Sequence, residues 1–417
     1  MKIDRIENFQ LMAKPSGSVC NMDCSYCFYL EKELLYPERK NRWKMDARTL
    51  ENYVIKNISA QKSNIVDFIW QGGEPTLLGI DFFREAVRLQ NQHRGNKKIN
   101  NFFQTNGTNI DDNWAKFFKE KNFLVGLSID GDRISNDQYR LTRSGKSTYD
   151  SVIRGLEALK RQQVEFNTLT VVNAENVKRP MDVYHFLKRI GSRYIQFIPL
   201  VERRAAVADQ NQLTLVDPDF TGQCHVTEWS VPAKAYGMFL NKIFDHWIIN
   251  DIGTVFVMNF EQTMAKMMGH NSACVINETC GGNLIVEANG DIYSCDHFVY
   301  PEHKIGNINY DDPAQLVNAT ANRMFGQRKL TNISKECLSC AVRPVCNGGC
   351  PKQRFVISSD GRPNKNYLCE GFYLHLNHSL PIMKKLLMLM RQGTSVSNVK
   401  EIIRRQYFCK KTPIKKP

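Results

Sequence analysis

The chain has 417 residues, 42% hydrophobic and 24% charged, the balance of a globular protein with room for two to three domains of about 150 residues each. It has no run of about 18 apolar residues, which argues against a membrane span. Its start, MKIDRIENFQLMAKPSG, lacks the apolar core of a secretory signal, so the expected location is cytoplasmic. The formal net charge is +14, but residues 400–417 carry seven Lys/Arg against one Glu without interleaved stacking aromatics, so nucleic-acid binding is not expected.

Taken in chain order, NFQLMAKP (8–15) reads as a first strand. IVDFIW (65–70) reads as a second, β-branched and aromatic, ending in a Gly-Gly turn. DFFREAVRLQNQH (81–93) sets Phe82, Phe83, Ala86, Val87 and Leu89 on one helical face. A short strand, INNFF (99–103), leads through QTNGTN into a helix at 111–121 opened by acidic residues. Strand FLVGLSI (123–129), helix 147–163, strand 166–172, helix 179–190 and strand 194–200 complete six strands, each but the last followed by a helix.

Such repetition predicts an α/β fold with a parallel sheet. Six units are fewer than the eight of a closed barrel, so an open, partial barrel or a doubly wound sheet both fit. In either, ligands gather at the carboxyl ends of the strands. The unusual loops fall there: three cysteines after the first strand, QGGEPT after the second, QTNG after the third and DGDR after the fourth. Residues 202–232 read as a connecting stretch and 233–250 as a strong helix. From Cys274 onward, Gly-, Asn- and Cys-rich loops predict a region shaped by metal centres more than by a large core.

Thirteen cysteines without an export signal point to metal or redox chemistry, because cytosolic thiols stay reduced. Cys20, Cys24 and Cys27 have the spacing Cys-x3-Cys-x2-Cys. Three thiolates can hold three irons of a 4Fe–4S cluster and leave the fourth iron for a reactant. A zinc site with a distant fourth ligand also fits the bare spacing. The eight cysteines between Cys274 and Cys369 suffice for two fully ligated 4Fe–4S clusters or for two four-thiolate zinc sites. Cys224 and Cys409 are left over and read as ordinary thiols. In QGGEPT the glycines leave backbone groups open, Pro75 fixes its φ, and the Glu74 carboxylate suits a positively charged amino group.

The cysteine spacing at one strand end and GGEP at the next together resemble the radical S-adenosylmethionine (radical SAM) superfamily. That resemblance implies a partial (β/α)6 radical SAM barrel. It also implies that SAM chelates the open iron and is cleaved by the reduced cluster to a 5′-deoxyadenosyl radical. By position, Tyr26 resembles the adenine contact, Gly73 the loop receiving the amino group, Ser128 a ribose or carboxylate contact, and Arg140 the arginine meeting the carboxylate. Val201 stands where relatives often carry leucine. The order of the later cysteines resembles the SPASM-type extension. It implies a C-terminal cysteine-rich domain with interleaved ligands: Cys274, Cys280, Cys295 and Cys350 for one auxiliary cluster, and Cys337, Cys340, Cys346 and Cys369 for the other.

Within the superfamily, WQGGEPTLLG, FQTNGT, FLVGLSIDG, IQFIP, CGGNLIVEANGDIYSCDH and CNGGCPK are similar to the anaerobic sulfatase-maturating enzymes, which oxidise a cysteine or serine of a sulfatase to Cα-formylglycine without oxygen. The similarity implies Asp296 as proton acceptor, with His297 the weaker alternative, and Tyr29, Gln71 and Gln104 around the substrate strand. The implied cofactors are three 4Fe–4S clusters and SAM. The implied partners are a sulfatase polypeptide and a reductase or flavodoxin-type electron donor, with no nucleic acid or membrane. The expected organisation is a barrel over 1–232, a helical connection over 233–273, the auxiliary-cluster domain over 274–380, and a C-terminal helix and basic tail over 381–417. Two rivals share part of this pattern. A radical SAM enzyme forming a thioether or crosslink in another polypeptide would share the clusters, and a non-catalytic iron–sulfur or zinc scaffold would share the thiols alone.

Overall fold

The computed structural model describes residues 5–36, 43–207, 213–270 and 273–408; Cys409 and the end of the basic tail lie outside the described residues. Six strands form the expected parallel array: β1 (Gln10–Lys14), β2 (Ile65–Trp70), β3 (Lys98–Thr105), β4 (Phe123–Ser128), β5 (Phe166–Val172) and β6 (Tyr194–Pro199). Helices α1 (Ala47–Ala60), α2 (Ile80–His93), α3 (Asp112–Glu120), α4 (Arg133–Asp137), α5 (Tyr149–Arg161) and α6 (Pro180–Arg189) connect them in turn. The period-two pattern explains β2. Val66, Phe68 and Trp70 turn inward, and the Trp70 ring meets Tyr53 of α1 and Phe83 of α2 at 5.4 and 5.5 Å. Asp46 and Asp111 cap α1 and α3 by accepting the amides of Thr49 and Trp114.

The rest of the chain closes around this array. Arg203–Ala205 (β7) and Cys224–Val226 (β8) pair as a hairpin, so residues 202–232 are more than a connector. Leu215 and Trp229 are buried there, and Glu31 accepts the amides of Thr214 and Leu215 at 2.8 and 2.9 Å, pinning the stretch beside the first cysteine loop. Helices α7 (Ala233–Asn250) and α8 (Met258–Met267) follow, and the two-residue strand β9 (Phe256–Val257) pairs with β6.

The segment beyond Cys274 then supplies strands to the barrel sheet, which the cysteine-rich texture had hidden. β10 (Asn283–Glu287) runs parallel to β1 from Gln10↔Asn283 to Lys14↔Glu287. β11 (Asp291–Tyr293) and β12 (Lys304–Asn307) extend it antiparallel. Leu284, Val286 and Ile292 enter the same core as Leu11 and Phe68. The boundary expected at 274 therefore separates strands of one sheet, because β1 needs an apolar neighbour on its open edge. The boundary expected at 380 falls inside a helix, Cys369–Arg391, that packs on α7. At their crossing a Cβ on Gly371 would stand 2.0 Å from the Ala233 carbonyl oxygen, so only glycine permits the approach.

Residues 335–368 carry few buried apolar side chains. They form two four-residue helices and the hairpin β13 (Arg354–Ile357) and β14 (Pro363–Asn366), and the Arg354 guanidinium ties the hairpin to the end of the second helix and to the helix Thr320–Thr331 by donating to the carbonyls of Asn347, Gly348 and Lys329.

Candidate active site

Cys20, Cys24 and Cys27 lie on one loop at the carboxyl end of β1, each partly buried. The loop is anchored on the segment after α4, where Asp23 and Ser25 donate their amides to the carbonyls of Leu141 and Tyr139. Burial pushes the Cys20 and Cys24 thiols up to about 11 and about 12, and Cys27 is also raised. Thiols in this setting become thiolates when a cationic centre joins them, which a cluster core supplies.

The glycines of QGGEPT permit close approach. The Gly73 amide donates to the Gly17 carbonyl at 2.6 Å, and a Cβ on Gly73 would lie 2.1 Å from the Val19 carbonyl oxygen. The loop after β2 is thus pressed against the loop carrying Cys20. Glu74 differs from the sequence expectation. It is fully buried and accepts from the Thr76 amide, the Thr76 and Thr105 hydroxyls and the Asn106 amide. It braces the loops after β2 and β3, with no surface exposed to a ligand's amino group.

Tyr26 and Arg140 come together. The Tyr26 hydroxyl donates to Asp130 at 2.6 Å and accepts from Arg140 Nη1 at 3.0 Å, all three side chains being buried beside Cys24. Arg140 Nε has no partner among the described residues. Asp130 opens DGDR, and its polar position just after an apolar strand is the one sequence signal that pointed to it. Ser128 ends β4, half-buried. The Val201 side chain is in the main core, which leaves its main chain for any ligand contact. The neighbouring Leu200 instead packs with Tyr26, Leu215 and Trp229 in an apolar niche bordering Cys24. Leu215 and Trp229 come from the stretch read as a connector.

Opposite the first cysteine loop stands the loop after β11. Lys14, buried at the end of β1, forms an ion pair with Asp296. Lys14 Nζ also lies 3.6 Å from the centre of the Tyr29 ring, whose hydroxyl bonds to Glu287. Phe28 meets His297 at 5.3 Å between ring centres, and Lys352, paired with the buried Glu202, has its Nζ 4.4 Å from the centre of the Phe28 ring. Lys32 is buried among aromatic rings, 4.2 Å from the centre of Tyr300. Burial tends to raise the Asp296 carboxyl, and the Lys14 ammonium overrides it, bringing the group to about 2. Burial pushes His297 down to about 3 and Lys32 down to about 7. At neutral pH Asp296 is an ionised acceptor and His297 a neutral imidazole. Gln71 is half-buried after β2 with Oε1 unpartnered among the described residues, Gln104 is half-buried on β3, and Tyr29 is buried with its hydroxyl committed to Glu287. Lys14, Lys32, Glu202 and Lys352 were missed from sequence, since a buried lysine looks like any other until its partners are known.

The later thiols sort into two groups. Cys274, Cys280, Cys295 and Cys350 line one cavity, and Cys337, Cys340, Cys346 and Cys369 line another. A cavity of about 420 Å³ is lined by Tyr26 and Cys27 on one side and by Cys274, Cys280, Cys295 and Cys350 on the other. All twelve described cysteines are free thiols. Among the described residues no three His, Cys, Asp or Glu side chains converge as ligands of one ion would. The thiols of a cube need not converge so, because each binds a different iron. A loop of three cysteines beside unpartnered polar atoms and two sets of four cysteines fit three clusters and SAM.

A model of the radical SAM superfamily matches residues 15–187, and one of the SPASM iron–sulfur cluster-binding domain matches residues 274–341. A serine-type anaerobic sulfatase-maturating enzyme of Bacteroides thetaiotaomicron is 40% identical over 91% of this chain and 92% of its own length. The chain belongs to the anaerobic sulfatase-maturating enzymes. A cysteine-type member of that family from Clostridium novyi is 35% identical over 88% of this chain and 94% of its own length. Among solved structures, native anSMEcpe with bound AdoMet and Cp18Cys peptide is 30% identical with a TM-score of 0.78, covering 91% of this chain and 99% of that one. Streptococcus suis SuiB, at 13% identity and a TM-score of 0.58 over 88% of this chain and 79% of its own, shares the fold. No helix among the described residues is long and apolar enough to cross a membrane.

Proposed function

We propose that this chain oxidises a cysteine or serine side chain of a sulfatase polypeptide to Cα-formylglycine without oxygen. The observation that carries the reading is the contact between the loops of Cys27 and Cys295 through Lys14–Asp296 and Phe28–His297, over a chamber bordered by both thiol sets.

In this reading Cys20, Cys24 and Cys27 hold the SAM-binding 4Fe–4S cluster. Cys274, Cys280, Cys295 and Cys350 hold one auxiliary cluster, and Cys337, Cys340, Cys346 and Cys369 hold the other. When bound, these groups would supply hydrogen-atom abstraction at the substrate Cβ and a sink for one electron, which with loss of the proton gives the aldehyde from serine directly and a thioaldehyde from cysteine that water hydrolyses with release of hydrogen sulfide. Tyr26, Gly73, Ser128, Arg140 and the main chain at Val201 seat SAM, with Arg140 oriented by the Tyr26 hydroxyl. Asp296, ionised and held by Lys14, takes the proton from the substrate sulfur or oxygen. Tyr29 forms the floor beneath Lys14, and Gln71 and Gln104 offer amides to the peptide. Phe28 and its aromatic neighbours limit water around the reacting side chain. The electron donor in this reading is a reductase or a flavodoxin-type protein, and the reducing cytoplasm is the compartment that suits so many thiols.

The test is anaerobic incubation with SAM, a reductant and paired peptides carrying Ser-x-Pro-x-Arg or Cys-x-Pro-x-Arg. An aldehyde in either peptide, read by mass spectrometry, supports the reading. A thioether, a crosslink or an unmodified peptide beside accumulating 5′-deoxyadenosine overturns it.

A further inference from the structure

A second cavity, of about 560 Å³, opens beside the chamber and is not used by the chemistry above. Phe298 and Pro351 line both spaces, so these two residues form a common wall. One side of the groove is β8, and the other is β13 with Phe355 and Ile357. Ile357 is 62% exposed, so the groove's β13 wall presents an apolar side chain to an incoming chain. The hairpin is fixed to its opposite wall by the Arg203 guanidinium, which stacks over Phe355 at 4.7 Å.

The hydrogen-bond register shows which amides of β8 face outward. The Thr227 amide donates to the Glu202 carbonyl, which makes Arg203↔Val226 a wide, non-bonded pair and Arg204↔His225 the bonded one. On the far side of β7, Ala205 donates to Thr214 and Val216 donates to Arg203, consistent with that alternation. The N–H and C=O of Cys224 and Val226 therefore point away from β7, and no partner accepts or donates to them among the described residues. An outward-facing strand edge beside apolar side chains is the arrangement that receives an extended polypeptide by strand addition, where main-chain bonds hold the peptide and alternate pockets take its side chains.

We propose that the groove between the β8 edge and β13 binds, as an added strand, the segment of the polypeptide substrate flanking the target residue. This rests on the polypeptide-oxidising reading above. The shared wall at Phe298 and Pro351 is what favours this occupant, because the groove and the chamber meet at these two residues and one polypeptide can occupy both.

Two variants probe the groove without touching the chemistry. Val226→Pro removes one outward N–H and leaves the hairpin's bonded pair intact, as proline is tolerated on an edge. Ile357→Glu places a charge on the apolar wall. The probes are a short peptide spanning only the sulfatase motif and a long one extended by about ten residues on each side, an extended reach of about 33 Å per flank. Each variant is expected to raise KM for the long peptide about tenfold, the loss of one or two good contacts. The values for the short peptide, kcat, and peptide-free SAM cleavage are expected to stay at wild-type levels. Anisotropy of the fluorescein-labelled long peptide gives the same comparison without turnover, so it reads the groove even if no aldehyde forms. Equal long-peptide affinity in wild type and both variants overturns the proposal, as does equal weakening of both peptides. A concentration-dependent dimer lost in Ile357→Glu, with peptide affinity unchanged, would assign the face to a second copy and also overturn it. Failure of wild type to form aldehyde from either peptide would overturn the functional reading instead.

Discussion

The sheet and the region 335–368 are held together in different ways. In β1–β4 the chain buries alternating Phe, Trp, Val and Leu side chains against amphipathic helices, and Trp114, Phe117 and Phe118 of α3 pack into one aromatic cluster with Phe103 and Phe123. In 335–368 only a handful of apolar residues, Val342 and Val345 among them, are buried. The loops converge on thiols and on one guanidinium. The first region has a core that owes nothing to a cofactor. The second buries too little apolar surface to offset the ordering of its loops, and ligation of its thiols, as proposed above, would supply what is missing. The candidate chemistry sits where the two meet, in a chamber lined by Gln196 and Phe197 of β6 and by Cys350, Pro351 and Lys352 of the second region.

That contrast can be broken first at the thiols. Cys24→Ala is expected to reduce SAM cleavage to background while iron falls from about twelve to about eight per chain, as four irons leave with one cluster. Retained cleavage would refute the assignment of the first loop. Cys346→Ala is expected to lose a similar amount of iron but to expose 335–368 to proteolysis while β1–β6 stay protected. Uniform protection would show that this region folds without its cluster. Asp296→Asn is expected to retain every cluster and SAM cleavage and to lower aldehyde formation by about 10²–10⁴-fold. Full aldehyde yield would remove Asp296 from the base role.

Two smaller effects test the seam between α7 and the Cys369–Arg391 helix. His375 is buried there against Phe260, with Nδ1 bonded to Asn241 at 2.8 Å, and burial holds it down to about 3. The imidazole is neutral in the folded chain but protonates near 6.5 when unfolded. Stability is therefore full above about pH 6.5 and is lost as pH falls towards 3, at about 1.4 kcal/mol per unit. Urea unfolding between pH 7 and 5 should show this slope, and His375→Gln should flatten it. Gly371→Ala, which forces a Cβ against the Ala233 carbonyl, is expected to cost about 1–3 kcal/mol, read as a lowered thermal midpoint with unchanged iron content.

The six βα units were legible because strand and helix periods are local, and the observed bounds lie within a few residues of the expected ones: Phe166–Val172 and Ala233–Asn250 coincide. The cysteine groups were proposed through resemblance, and in the structure each set of four lines a common cavity. What lay beyond reading is long-range. β10 pairs with β1 across some 270 residues, and NLIVE is too short an apolar run to announce a sheet neighbour. Glu74 looked available because its four donors come from two loops that only the fold brings near. Lys14 looked like the polar end of a strand until Asp296 was placed opposite it.

The most direct test of the central claim is turnover of a Cβ-deuterated sulfatase-motif peptide by the anaerobically prepared full chain. If the two loops enclose one substrate side chain, deuterium enters 5′-deoxyadenosine in equal amount to the aldehyde formed, in wild type alone, while Asp296→Asn yields 5′-deoxyadenosine with little aldehyde. Deuterium-free 5′-deoxyadenosine, or aldehyde formed without deuterium transfer, would contradict the account.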